Sequence, residues 1–124
     1  CFRTGPNQAL RAPMVESRPG RFVPEFQHRY LSEDVPFGLV VTRALAEIAD
    51  VETPLIDEVI TWAQSVLQKT YLVDGELRGR DAERVPIPQN HGVVTVSDLI
   101  DWYTEADRSM SRLAMSRFGP FARR

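Results

Sequence analysis

The sequence predicts an all-α fold: a small helical domain of about three main helices, with an extended proline-rich N-terminal segment and a short β-hairpin. Three observations predict it. Residues 36–49, 54–68 and 96–117 each place apolar side chains at helical spacing. Pro6, Pro13, Pro19, Pro24 and Pro36 punctuate the first 36 residues, with no sustained helical or alternating period between them. Asp74-Gly75 separates two short runs, and Asp-Gly suits a two-residue hairpin turn because both central positions need φ > 0.

The expected organisation is an extended segment over 1–35 and a helical domain over 36–124. Proline fixes φ and lacks an N–H, so the first segment cannot make its own core. Leu10, Met14, Phe22, Val23 and Phe26 supply more apolar anchors than a solvated linker carries, which favours chain wrapped over a larger body over a flexible leader. From Pro36, the residues Phe37, Val41, Ala44, Leu45 and Ile48 share one stripe, with Thr42, Arg43 and Glu47 off it. A second helix restarts at "ETP": Thr53 as N-cap, Pro54 at the first helical position, Asp57 and Glu58 in the positive first turn. Its stripe of Leu55, Ile56, Val59, Ile60, Ala63, Val66 and Leu67 is broad, with Trp62 at the margin, and the short connection predicts antiparallel partners. "RVPIPQNHG" reads as irregular chain between Pro86 and Pro88.

"TVSD" then opens the last helix, with Thr95 capping and Asp98 reaching back in a capping box. Val96, Leu99, Ile100, Tyr103, Ala106, Met110 and Leu113 continue one stripe, while Asp98, Asp101 and Glu105 precede Arg108, Arg112 and Arg117 in the order the helix dipole favours. Phe22, Phe26, Tyr30, Phe37, Trp62, Trp102 and Tyr103 are assigned mainly to the core, with interface anchoring as the alternative.

Composition narrows the function classes. A chain of 124 residues with 43% hydrophobic and 26% charged residues suits one modest globular domain. A net charge of -2 provides no positive field for nucleic acid, and solvated charge explains the short basic tail of Arg117, Arg123 and Arg124 at least as well as nucleic-acid binding does. No apolar run approaches the roughly 18 residues of a membrane span, and no signal-peptide pattern opens the chain, so a soluble cytoplasmic protein is expected. Cys1 alone makes no internal disulfide, and no Cys/His spacing suggests a metal site. A start at Cys1 instead of Met favours a piece of a longer chain.

Chemistry concentrates in "HRYLSEDVPFGLV", residues 28–40. Arg29 offers a planar fork of donors that holds a carboxylate through two parallel hydrogen bonds. Glu33 and Asp34 precede the expected helix start at Pro36, where free N–H groups favour negative charge. An ionised carboxylate there can orient a histidine and stabilise its protonated form. The plain structural alternatives are an Arg29–Glu33 surface ion pair and Asp34 as a helix cap.

"RYLSEDVPFGLV" followed by "TPLIDEVITWA" resembles the C-terminal helical domain of the octopine/nopaline (opine) dehydrogenase family, well over about residues 22–68 and more weakly through "YLVDGELRGRD" to "DLIDWY". The resemblance implies an oxidoreductase of two domains, in which an N-terminal Rossmann domain binds NAD or NADP and the helical domain closes over the substrates. The implied reaction is reductive condensation of an α-keto acid with the amino group of an amino acid. On the matching motif, Arg29 engages a substrate carboxylate and Asp34 pairs with the catalytic histidine, with Tyr30 and Glu33 as supporting neighbours. That histidine lies upstream in the family, in an Asn…His-Pro setting. His28 is followed by Arg29 and His91 by Gly92, so neither matches. The chain has no Gly-x-Gly-x-x-Gly, so the dinucleotide is expected on an N-terminal domain outside this sequence, with no cofactor and no metal held by these residues. The implied partners are a keto acid, an amino acid and the Rossmann domain of the same polypeptide, and a homodimer stays open.

Two departures from the family pattern, Asp50-Val51-Glu52-Thr53-Pro54 in place of Gly-Val-Pro-Thr-Pro and Val41 in place of a common proline, leave substrate identity unassigned. The long C-terminal helix also extends past the family's usual end. The competing function is a non-catalytic helical interaction module derived from the same family.

Overall fold

The computed structural model describes residues 11–118, with side-chain surroundings for residues 11–110. Leu10, Arg123 and Arg124, and the side chains of Arg112, Leu113 and Arg117, therefore lie outside the described residues. The elements in order are β1 (Met14–Arg18), β2 (Arg21–Pro24), α1 (Arg29–Ser32), a π turn (Val35–Val40), α2 (Val41–Ile48), α3 (Pro54–Leu67), short 3-10 turns at Ala82–Arg84 and Pro88–His91, and α4 (Val96–Phe118). The fold class is the predicted one, with a single two-stranded sheet among the described residues.

The hairpin stands at a different place from the one expected. β1 and β2 pair antiparallel, Met14 opposite Pro24 and Val15 opposite Val23, inside the stretch read as extended chain. Its prolines fall at the turn and at the strand end, where a missing N–H interrupts no ladder. Gly20 takes φ 73° in the turn and donates its N–H to Glu16 Oε1 at 2.7 Å. At Asp74-Gly75 the turn chemistry is as predicted, with φ 53° and 81°, but the pairing amounts to one bridge, Val73 to Glu76.

Helical structure begins at Arg29, not at Pro36. Glu33 and Asp34 keep right-handed helical backbone, so α1, the π turn and α2 form one run from 29 to 48. Pro36 cannot donate an α-helical hydrogen bond and its ring crowds the carbonyl four residues back, and the wider π winding accommodates both. The π turn also shifts the phase of the helix. Val40, Ala44 and Ile48 face the core, while Phe37 and Leu45, both placed on the buried stripe by a constant period, are exposed.

Asp50, at φ 56°, turns the chain after α2. The predicted Thr53 side-chain cap does not form: its carbonyl accepts the Asp57 N–H at 3.0 Å, but its hydroxyl is buried without a partner. Pro54 opens α3 as expected, and Ile60, Ala63 and Leu67 enter the core. α3 lies closest to the π turn. One largely buried guanidinium ties it to α2, with Arg43 Nε donating to Asp57 Oδ1 and Nη1 to Glu47 Oε2, each at 2.8 Å. A third bond runs from Arg43 Nη2 to the Gly75 carbonyl at 3.4 Å.

Residues 70–93 supply four of the ten side chains in the core cluster. Tyr71, Leu72, Val85 and Ile87 join Val35, Val40, Ala44, Ile60, Ala63 and Leu67 in one cluster. With almost no ladder available, side chains satisfy this backbone. Gln64 Oε1 accepts from the N–H groups of Tyr71 and Leu72 at 2.6 and 2.5 Å. Asn90 Nδ2 donates to the carbonyls of Ala82, Glu83 and Val85 at 3.0, 3.2 and 2.8 Å. Gln89 Nε2 donates to the Ala44 carbonyl at 2.9 Å, which fastens the segment to α2.

The capping box of α4 forms as predicted: the Asp98 N–H donates to Thr95 Oγ1 at 3.1 Å and the Thr95 N–H to Asp98 Oδ2 at 2.9 Å. Its apolar stripe, however, is not core. Val96, Ile100, Tyr103 and Met110 are 49%, 59%, 70% and 68% exposed. The seven aromatics assigned mainly to the core are likewise all exposed. The space between the helices is filled by short aliphatic side chains and Tyr71, which leaves no room for further rings.

Candidate functional site

The motif from 28 to 40 divides cleanly between inside and outside. Val35, Pro36 and Val40 are buried, while Arg29, Tyr30, Glu33, Asp34, Phe37 and Gly38 are exposed. The buried residues anchor the helical run, so the exposed ones stand on a rigid base. Gln27 Nε2 donates to the Val66 carbonyl at 3.0 Å, and Phe26 meets Trp62 edge-to-face at 5.7 Å, which together fix the entry of the motif against α3.

His28 starts the run as its N-cap. Its backbone is extended, its Nδ1 accepts the Tyr30 N–H at 3.3 Å, and its ring packs edge-on against Tyr30 at 4.5 Å. Histidine is not a favoured N-cap, so the sequence carried little signal for this role. Arg29 Nη2 lies 3.4 Å from Glu33 Oε2, with the side chains 70% and 53% exposed. That is the plain surface ion pair, one turn apart on the helix, worth about 0–1 kcal/mol and easily exchanged for another carboxylate. Asp34 makes no capping hydrogen bond through its side chain. At 3.6 residues per turn, positions 29 and 34 lie about 140° apart around the axis and positions 29 and 33 about 40° apart. The run thus brings Arg29 to Glu33 and turns Asp34 well away from Arg29, toward the far side of the helix. The sequence placed Glu33 and Asp34 just before a helix N-terminus, but they lie within the helical run, which begins four or five residues before them.

None of these side chains lines the clefts of about 280–380 Å³ found elsewhere on the surface. The cleft between α2 and α3 is walled by Arg43, Glu47, Asp50, Glu52 and Asp57, and its Arg43 is already committed to two carboxylates. His91 lies far along the chain and stacks on Trp102 at 6.3 Å. Among the described residues no three His, Cys, Asp or Glu side chains gather to hold a metal, and no helix is long and apolar enough to cross a membrane.

The helical run buries its valines and displays an arginine, two carboxylates and two aromatic rings at the surface. The model of the NAD/NADP octopine/nopaline dehydrogenase alpha-helical domain matches residues 1–67, and the chain belongs to that family. It is 51% identical over 89 residues to an opine dehydrogenase of Haliotis discus hannai, covering 72% of this chain and 22% of that protein. A solved octopine dehydrogenase with NADH and pyruvate superposes with a TM-score of 0.70 at 37% identity, covering 76% of this chain and 24% of that one. The same enzyme with NADH and L-arginine gives 0.69 at 38% identity, covering 75% and 23%. The chain thus spans about a quarter of the length of the proteins it matches.

Proposed function

We propose that this chain is the substrate-side helical domain of an opine dehydrogenase-like oxidoreductase that condenses an α-keto acid reductively with the amino group of an amino acid. The observation that carries the reading is the display of Arg29 and Asp34 on a helical run locked into the core by Val35 and Val40. Arg29 would leave its weak pair with Glu33 and take the substrate carboxylate through its fork. Asp34, unpaired within the described structure, would accept a hydrogen bond from a histidine on another part of the polypeptide and hold its ring in one tautomer. Tyr30 and Glu33 flank the pair.

NAD or NADP fits none of the described residues. Among the described residues the only sheet is an antiparallel hairpin, and no parallel strand, glycine turn and helix stand in succession. The cofactor would belong to a Rossmann domain of the same polypeptide. Exposure of all seven predicted core aromatics favours a second reading, a non-catalytic interaction module. An upstream reading frame that encodes a glycine-rich βαβ unit and a histidine segment separates the two.

In the full-length protein, Arg29→Lys should raise KM for the keto acid at least ~10-fold with little change in cofactor affinity, because the bidentate fork is lost. Asp34→Asn should lower kcat by roughly 100-fold or more and move the pH–rate profile. Calorimetry showing unchanged keto-acid affinity in Arg29→Lys, together with an unaltered pH profile in Asp34→Asn, would remove the assignment.

A further inference from the structure

The chain carries a net charge of -2, and two of its arginines each meet two carboxylates, Arg43 with Glu47 and Asp57 and Arg78 with Asp74 and Glu76. One cleft reverses that ratio. It lies just past the end of α3, beyond the family match that stops at residue 67, has a volume of about 280 Å³, and is lined by Gln68, Lys69, Arg80, Asp81 and Arg84. Three cations there share one carboxylate, and the Arg29 motif takes no part in the lining.

Asp81, only 8% exposed, is the anchor. Its Oδ2 accepts the Thr70 N–H at 2.9 Å and Arg80 Nε at 3.4 Å, and its Oδ1 accepts Lys69 Nζ at 3.3 Å. These bonds hold two cations at the cleft while spending few of their donors. The Lys69 ammonium keeps two of three, and Arg80 keeps both Nη groups. Arg84 makes neither an ion pair nor a side-chain hydrogen bond among the described residues. The carbonyl end of α3 offsets about half a charge, so the lining keeps an excess of between one and two positive charges.

That excess separates ligand classes. A carboxylate brings one charge and two oxygens in one plane, too little to engage three cations from two chain segments. A phosphate group brings about -1.5 to -2 and three acceptor oxygens, which matches both the charge and the free donors. No apolar side chain lines the cleft, so recognition falls on the charged group itself.

We propose that this cleft binds a phosphate group, presented as inorganic phosphate or as a small phosphate monoester. Bound there, the anion bridges the residues after α3 to the turn at Ala82–Arg84. Calorimetric titration of inorganic phosphate into the full-length protein, at fixed ionic strength and with NADH in excess to fill any dinucleotide site, should show saturable binding with a Kd of about 1 mM, weak because the cations are largely in water. Acetate should bind at least ~10-fold more weakly. Methyl phosphate separates the two sources: affinity equal to or above that of inorganic phosphate identifies a monoester, and ~10-fold weaker binding identifies the free anion. Arg84→Gln should weaken phosphate at least ~5-fold and keep the wild-type melting temperature in phosphate-free buffer, because this guanidinium holds nothing in the fold. Arg78→Gln makes the same change in net charge outside the lining and should leave the Kd as it was. No saturable binding up to ~50 mM phosphate, a Kd indifferent to Arg84→Gln, an equal loss in Arg78→Gln, or acetate as tight as phosphate would each overturn the proposal.

Discussion

Residues 70–93 and α4 are opposites. The first has only two short 3-10 turns and one isolated bridge, yet it supplies Tyr71, Leu72, Val85 and Ile87 to the core. The second has a complete capping box and dipole-matched charges, yet its apolar stripe faces solvent. Periodicity therefore reports whether a segment can be a helix, not whether anything lies against it. Irregular chain enters a core when side chains take over the hydrogen bonds that a ladder would have made. Gln64 and Asn90 do that here.

The sharpest way to break the contrast is at Gly79. A Cβ at this buried position would overlap the Thr70 carbonyl, which is backbone and cannot swing aside. Gly79→Ala is expected to cost about 3 kcal/mol or more, seen as a large fall in melting temperature. A variant as stable as wild type would mean that 70–93 is looser than its hydrogen bonds indicate. A smaller effect is expected from Gln64→Met, which keeps the volume but leaves the N–H groups of Tyr71 and Leu72 without their acceptor. Each orphaned group costs roughly 1–3 kcal/mol. Hydrogen exchange should then accelerate over 70–73 while amides of 97–110 stay as they were. Equal acceleration in both regions would show that α4 depends on the core after all.

What was legible in the sequence follows the same division. The Asp74-Gly75 turn, Pro54 at the start of α3 and the Thr95–Asp98 box are each set by residues within four positions, and each appears where the sequence placed it. The candidate motif was legible as a string, but its geometry was not. Pro36 reads as a helix start under local rules, whereas Val35 and Val40 in the core hold the run helical on both sides of it, and the π turn then moves Phe37 outward. The amide brackets were hidden for another reason. Gln89 meets Ala44 across 45 residues, and nothing in the neighbourhood of a glutamine announces a distant carbonyl.

Acid should separate the two regions by the smallest margin. The Thr70 N–H, then Lys69 and Arg80, hold the Asp81 carboxyl below its ordinary 3.8, against a desolvation that raises it. The Thr95 side chain, then the N–H groups of Val94 and Thr95, do the same for Asp98, again against desolvation. For a group whose folded pKa is lowered, the folded state binds fewer protons than the unfolded one near that pH. Its stabilisation is therefore complete above the unfolded value and disappears as pH falls through the folded one, below about pH 4. Asp81 is joined to the Thr70 backbone beside the core, so Asp81→Asn should lower the melting temperature at neutral pH and flatten its decline in acid. Asp98 caps only α4, so Asp98→Asn should reduce helical ellipticity slightly and leave the acid dependence of the global transition untouched. A global transition that followed Asp98 instead would mean that α4 and the core unfold as one unit, and that the exposed helix is held by more than its own cap.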